Sequence, residues 1–166
     1  MNNFPVSSLI EGIPHSLAHL ENVSASISWE NYLSILQNVE RILTPKQRYE
    51  LFFNYSESAY LRSMLLSGGL WLSPIRFFVW ATRGRGNMVE RIFSCIRTRV
   101  VSESKREGVV EYSVIDGHAT APKILWDAFA ASIEGTARVI GMKSFLQVSW
   151  VPVDRGARFT VQFPRR

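Results

Sequence analysis

The sequence predicts an α+β fold, a helical N-terminal half packed with a four-stranded antiparallel β-β-α-β-β unit. Three patterns predict it. Residues 88–115 alternate with a period of two: Ile92, Ile96 and Val100 against Arg91, Arg97 and Arg99, then Val110, Tyr112 and Val114. The polar turn Ser104-Lys105-Arg106-Glu107-Gly108 sits between the two runs, so the stretch reads as a hairpin of two long strands. A second hairpin closes the chain, with Leu146, Val148 and Trp150 as one core set and Ala157, Phe159, Val161 and Phe163 as the other. Upstream the period changes to that of a helix, since Trp29, Tyr32, Leu33, Leu36, Val39 and Leu43 fall on one face.

Each element has its own signals. A short helix is expected over residues 5–11, broken at Gly12-Ile13-Pro14 and followed by a helical turn ending near Leu20. Ser28 is placed to cap the amphipathic helix, and Glu30, Asn31, Ser34, Asn38 and Arg41 form its polar side. Thr44-Pro45 opens the next helix, because proline at the first helical position loses no hydrogen bond. That segment runs through Tyr49, Phe52 and Phe53, bends near Asn54-Tyr55-Ser56, and continues to Leu66 before Gly68-Gly69. Residues 75–83 form a helix apolar nearly all round, which belongs in an interior or along a pocket wall. Gly84-Arg85-Gly86-Asn87 leads into the first hairpin. After that hairpin, Thr120 and Pro122 start a helix with a sheet-facing stripe of Leu125, Phe129, Ile133 and Ala137, ended by Gly141. The final turn is Asp154-Arg155-Gly156. One domain spans 1–166, mainly helical over 1–83 and β-β-α-β-β over 88–163.

The totals set bounds on function. A 166-residue chain, 46% hydrophobic and 20% charged, has the composition of a globular domain with a sizeable core. Cys95 is the single cysteine, which excludes an internal disulfide and points to a reducing, cytoplasmic setting. The first residues carry no basic segment followed by an apolar one, so no signal peptide is expected. Residues 64–82 are apolar but are interrupted by Gly68, Gly69, Pro74 and Arg76, which favours two buried helices over a membrane span. The formal charge of +5 permits an anionic partner without demanding one.

Candidate chemistry is sparse. His15 and His19 have the i, i+4 spacing of a metal clip but lack a third ligand, so surface histidines are expected. His118 lies in a turn beside Asp116, with no nucleophile or paired carboxylate to make it an acid or base. Gly84-Arg85-Gly86-Asn87 lacks the Lys-Ser/Thr of a phosphate loop and leads into a strand. Arg91, Arg97 and Arg99 are read as one solvated strand face, and nucleic-acid binding there is not expected. The aromatic residues Trp71, Phe77, Phe78, Trp80, Trp126 and Phe129 flank the first hairpin and are the candidate wall of an apolar ligand site.

With the segments in place, a family resemblance can be stated. Val6-Ser7-Ser8-Leu9-Ile10-Glu11-Gly12-Ile13, with Leu20-Glu21-Asn22 and Ile27-Ser28-Trp29, resembles the opening of a bacterial signal-input domain. That domain stands at the N-terminus of sensor histidine kinases and is related to the haem-NO-binding and vinyl-4-reductase-like sensor group. Leu72-Ser73-Pro74 with Phe77-Phe78-Val79-Trp80 resembles its apolar helix, and Lys105-Arg106-Glu107-Gly108, the helix to Gly141 and the final hairpin match in layout. The resemblance covers nearly the whole chain, through patterns of shape and no catalytic signature. The opening also resembles the effector-binding half of some AraC-type transcription regulators. Departures bear on cofactors. The cysteines with which phenol-sensing relatives hold zinc are reduced here to Cys95, and Tyr55-Ser56-Glu57-Ser58-Ala59 does not reproduce the Tyr-x-Ser-x-Arg of haem-binding relatives. The resemblance therefore implies a non-enzymatic input domain with no cofactor. It would sense a small apolar molecule or a partner protein and act on an output domain, a kinase or a DNA-binding module. A homodimer is expected, because the apolar N-terminal helices exceed what one sheet face covers.

Overall fold

The computed structural model describes residues 6–22, 26–55, 74–83, 87–139 and 146–163. Four helices come first: α1 (Val6–Leu9), α2 (Leu17–Glu21), α3 (Trp29–Ile42) and α4 (Pro45–Asn54). Then come α5 (Pro74–Trp80), α6 (Met88–Ile92), β1 (Ile96–Glu103), β2 (Glu107–Val114), α7 (Lys123–Val139), β3 (Gln147–Val153) and β4 (Gly156–Gln162). The strands form one antiparallel sheet in the order β1-β2-β4-β3, so the fold is α+β.

The caps fall where the sequence puts them. The Ser28 hydroxyl accepts from the Asn31 amide at the head of α3. At α4, Thr44 accepts from Gln47 while the Gln47 side chain accepts from the Thr44 amide, a reciprocal capping box with proline at the first turn. Gly12 takes φ +76°, which ends the α1 segment, and Asn38 of α3 donates to the carbonyls of Leu9 and Glu11 to hold that turn. Trp29, Leu33, Leu36, Val39 and Leu43 are buried, the predicted face of α3.

The inner face of the sheet carries Ile96, Val110, Tyr112, Val114, Ala157, Phe159 and Val161, all buried. These residues share one core with α3, α5 and α7. The outer face is polar. Arg99, Glu111 and Arg158 stand in register across three strands, and Glu111 accepts from both arginines.

Two expectations change. The first hairpin does not begin at Met88: residues 88–92 are helix α6, and Ile92 is 65% exposed on it. The reason is local hydrogen bonding. Asn87 accepts from the Glu90 amide and caps the turn, and the Glu90 carboxylate accepts from the Thr98 amide of β1, folding α6 back on the strand. Arg91 therefore does not share a strand face with Arg97 and Arg99. Secondly, α7 buries two faces. Beside the sheet-facing Leu125 and Ala137 it buries Ile124, Ala128, Ala131 and Gly135. Ser132 donates to the Phe52 carbonyl of α4, so α4 lies along this second face at close range.

Several expectations fall outside the described residues: the continuation of α4 to Leu66, the Gly68-Gly69 stop, Trp71, the loop at 84–86 and the Gly141 terminator. Most of the apolar stretch 64–82 does too. No helix among the described residues is long and apolar enough to cross a membrane.

Candidate ligand-binding cleft

The aromatic residues singled out from the sequence divide into two groups. Phe77 and Trp80 meet at 5.8 Å between ring centroids on α5, and Phe78 is buried beside them in the chain. Trp80 is 46% exposed, because two residues along a helix turn it about 200° away from the buried Phe78 side. Trp126 and Phe129 of α7 belong to a different cluster. Phe129 meets Phe93, Tyr112, Trp126 and Phe159 at 5.5–6.4 Å. Trp29 and Tyr32 of α3 reach this cluster through Phe93, and Trp150 of β3 reaches it through Phe159. Rings thus run continuously from α3, through the space between α7 and the sheet, to the edge strand β3. Burial raises the phenol pKa of both Tyr32 and Tyr112. Phe93, Tyr112, Phe129 and Phe159 pack into the core, while Trp126 and Trp150 also reach open space.

Open space lies on either side of Trp150. A half-open cleft of about 350 Å³ separates α4, α7 and β3, with Tyr49, Phe52, Ile124, Asp127, Glu134 and Trp150 on its walls. A shallower hollow of about 310 Å³ lies on the other side, against Thr120, Trp126, Pro152 and Arg155. The cleft has a polar rim. The Tyr49 hydroxyl donates to Glu134 Oε2 at 2.7 Å, and its pKa is pushed up to about 12 by burial and by that carboxylate. Trp150 Nε1 donates to Asp127 Oδ1 at 3.1 Å, and Lys123 Nζ donates to Asp127 Oδ2 at 2.5 Å. Arg48 is engaged by Glu40, through its carboxylate at 3.5 Å and its carbonyl at 3.2 Å. The sequence reading missed this cleft, although Ile124, Asp127, Ala131 and Glu134 recur at helical spacing. That stripe was the signal that α7 has a second working face.

One loop joins the parts. Residues 115–122 lie between β2 and α7. Trp29 Nε1 of α3 donates to the Ala119 carbonyl at 2.8 Å. Arg155, at φ 51° in the final turn, donates to the carbonyls of Val114, Ile115 and His118. The Ile115 amide donates to the Cys95 carbonyl at the head of β1. The helical half, the first strand and the last hairpin therefore all hold this one segment.

The remaining candidates are structural. His15 and His19 stack at 4.5 Å, and Asn31 lies against His15 at 3.3 Å. Among the described residues no three His, Cys, Asp or Glu side chains form a group able to hold a metal ion. Cys95 is buried, and burial pushes its thiol pKa up. Burial also pushes the Glu90 carboxyl up, but hydrogen bonds from Thr98 and Asn87 outweigh it and leave the group below the usual range.

Comparison with known proteins gives no matching family model and no matching curated protein. Solved structures do match, and the class they define is the H-NOX domain fold. The Fe(II) unliganded H-NOX protein mutant from K. algicida superposes with a TM-score of 0.63 at 12% identity, covering 96% of this chain and 86% of that one. The Fe(II) unliganded H-NOX protein from the same organism gives 0.55 at 13%, covering 86% and 76%. An oxygen-binding H-NOX domain related to soluble guanylate cyclases, in its oxygen complex, gives 0.51 at 16%, covering 86% and 75%. At these identities the likeness is one of fold. Among the described residues, neither the cleft nor the hollow is lined by a histidine, cysteine or methionine, and the Tyr49 hydroxyl on the cleft wall is engaged by Glu134. His118 lies in the loop beside the hollow, where Arg155 donates to its carbonyl, and His15 lies in a loop of the helical half.

Proposed function

We propose that this chain is a non-enzymatic signal-input domain of a larger signalling protein, one that binds a small organic molecule and passes the event to an output domain. The carrying observation is the continuous aromatic core between the helical half and the sheet, held at loop 115–122 by Trp29 and Arg155. The fold shared with H-NOX domains supports a small-ligand sensor, and the sequence resemblance supports a histidine kinase as the output. The reading assigns no haem, because Tyr55-Ser56-Glu57-Ser58-Ala59 does not reproduce the Tyr-x-Ser-x-Arg of haem-binding relatives. A ligand shifts a two-state element only by its difference in affinity for the two states, so the cleft must change shape between them. The cleft is built from α4, α7 and β3, and loop 115–122 leads directly into α7. Closing of α4 on α7 would therefore bear on that loop and on its bond to Trp29.

Hydrogen exchange tests this reading. A ligand found by thermal-shift screening should alter amide protection in loop 115–122 and at the head of α3, both away from the cleft. Protection confined to the lining residues would refute coupling. Trp29→Phe should bind the same ligand equally well but abolish the change at α3.

A further inference from the structure

We infer that the open edge of the sheet, strand β3, takes an extended segment of a partner protein as an added strand. The inference goes beyond the sensor reading and stands on the sheet alone. The sheet has two edges, β1 and β3, and the chain treats them differently. The phase of the hydrogen bonds follows from two of them. The Val114 amide donates to the Arg155 carbonyl and the Phe163 amide to the Arg106 carbonyl, so the odd-numbered residues of β4 face β2. Its even-numbered residues therefore bond to β3, through Gln147, Ser149, Val151 and Val153. This alternation points the amides and carbonyls of Val148 and Trp150, and the carbonyl of Pro152, away from the sheet. Among the described residues nothing bonds to them. At β1 the corresponding amide, that of Thr98, is taken by the Glu90 carboxylate of α6. A register shift at Val100–Ser102 and the charges of Arg97, Arg99 and Glu103 protect that edge further. Residues 147–153 of β3 carry no charge, and Val151 is 54% exposed.

The surroundings of the edge define the occupant. A row of outward amides and carbonyls is met by extended backbone and not by a helix. On the inner side, the half-open cleft is walled by Tyr49 and Phe52 of α4 and by Val148 and Trp150 of β3. A strand added at the usual spacing of about 4.8 Å would run along the mouth of this cleft and turn alternate side chains toward it. A second copy docked through its own β3 would bring its own α4 over the same added strand, on the same side of the sheet. A bare segment fits there and a second whole domain does not. Charge defines the outer side. Arg158 is the register partner of Val151, and it shares the single Glu111 carboxylate with Arg99, so this row of the outer face is net positive. The partner strand is thus apolar toward the cleft and polar or acidic on its other face.

The probe is a capped peptide of about seven residues, an ordinary strand length, alternating valine with threonine around one central glutamate in a threonine position. Amide exchange followed by NMR gives the first check. In the free protein the Val148 and Trp150 amides should exchange freely, and those of Ser149, Val151 and Thr98 slowly. Saturating peptide should slow Val148 and Trp150 by about tenfold or more and leave Thr98 unchanged. In an antiparallel pairing, like that of the rest of the sheet, the valine amides of the peptide face β3. Methylating them should weaken binding about tenfold, while methylating the threonine amides should not. Lysine in place of the glutamate should bind a few-fold more weakly, and salt should close that gap. Val148→Pro removes an outward amide without breaking a bond to β4, and should weaken the peptide about fivefold or more. The methylated peptides, used on the unaltered protein, decide the matter whether or not that variant folds. Protected Val148 and Trp150 amides in the free protein would show the edge already taken and overturn the inference. Equal effects of the two methylated sets, or a dimer of this chain joined at β3, would overturn it as well.

Discussion

Gly135→Ala tests the helix packing that creates the cleft, and two principles disagree about its sign. In an isolated helix, alanine is preferred to glycine by about 1 kcal/mol, so propensity alone predicts a more stable protein. The structure predicts the reverse. A Cβ at Gly135 would stand 2.9 Å from the Phe53 carbonyl carbon and closer still to its oxygen. Those are backbone atoms of α4, so no side chain can swing aside. The helices must separate, and overpacking of this kind costs about 1–3 kcal/mol. Separation also stretches the Ser132 hydroxyl bond to the Phe52 carbonyl, worth about 1 kcal/mol. The cost exceeds the propensity gain, and the net expectation is a loss of about 1–3 kcal/mol, or roughly 2–12 °C in Tm for a chain of this size. Urea unfolding followed by tryptophan fluorescence measures it. A Gly135→Ala protein as stable as the parent, or more stable, would refute the packing of α4 on α7 and with it the shape of the cleft.

Other consequences can be measured in the same way. Trp29→Phe keeps a ring in the core but leaves the Ala119 carbonyl without its donor, and should cost about 1 kcal/mol in urea unfolding. Arg155→Gly and Arg155→Ala both lose the guanidinium bonds to the β2–α7 loop, but only glycine is at ease at φ 51°. The alanine variant should therefore be the less stable by about 1 kcal/mol, and equal stabilities would argue against the left-handed turn. Arg99 and Arg158 hold the Glu111 carboxyl below the usual carboxylate range through their hydrogen bonds. Its contribution is therefore present above the unfolded pKa of about 4.3 and is lost as pH falls through the lower folded value. Glu111→Gln should flatten that acid limb of the stability–pH curve, and an unchanged limb would show that the cross-strand triad contributes nothing.

Much of this architecture is legible in the chain because its signals are local. The period-two alternation of Val110, Tyr112 and Val114, and of Ala157, Phe159 and Val161, sets which strand face is buried without reference to any other segment. The caps Ser28 and Thr44 are equally local, since each hydroxyl needs only an amide three residues on. The same reasoning failed where a competing local signal went unread, or where the decisive partner is distant in sequence. Residues 88–92 alternate like a strand, yet the Asn87 cap and the bond from Thr98 to Glu90 make them a helix. Trp80 looks like a wall residue and faces outward, because the phase of α5 is set by what it packs against.

The candidate site lies on the distant side of that division. Tyr49, Asp127, Glu134 and Trp150 come from three elements and show no motif, and the cleft exists because a seam of small residues on α7 admits α4. Chain periodicity by itself determined a four-stranded antiparallel sheet with helices on one face, because burial of alternating side chains depends on the residues of each strand alone. Tertiary packing decided which rings became core, where the open space was left, and that carboxylates rather than histidines face it. Those outcomes depend on the distance between helices, which no single segment encodes.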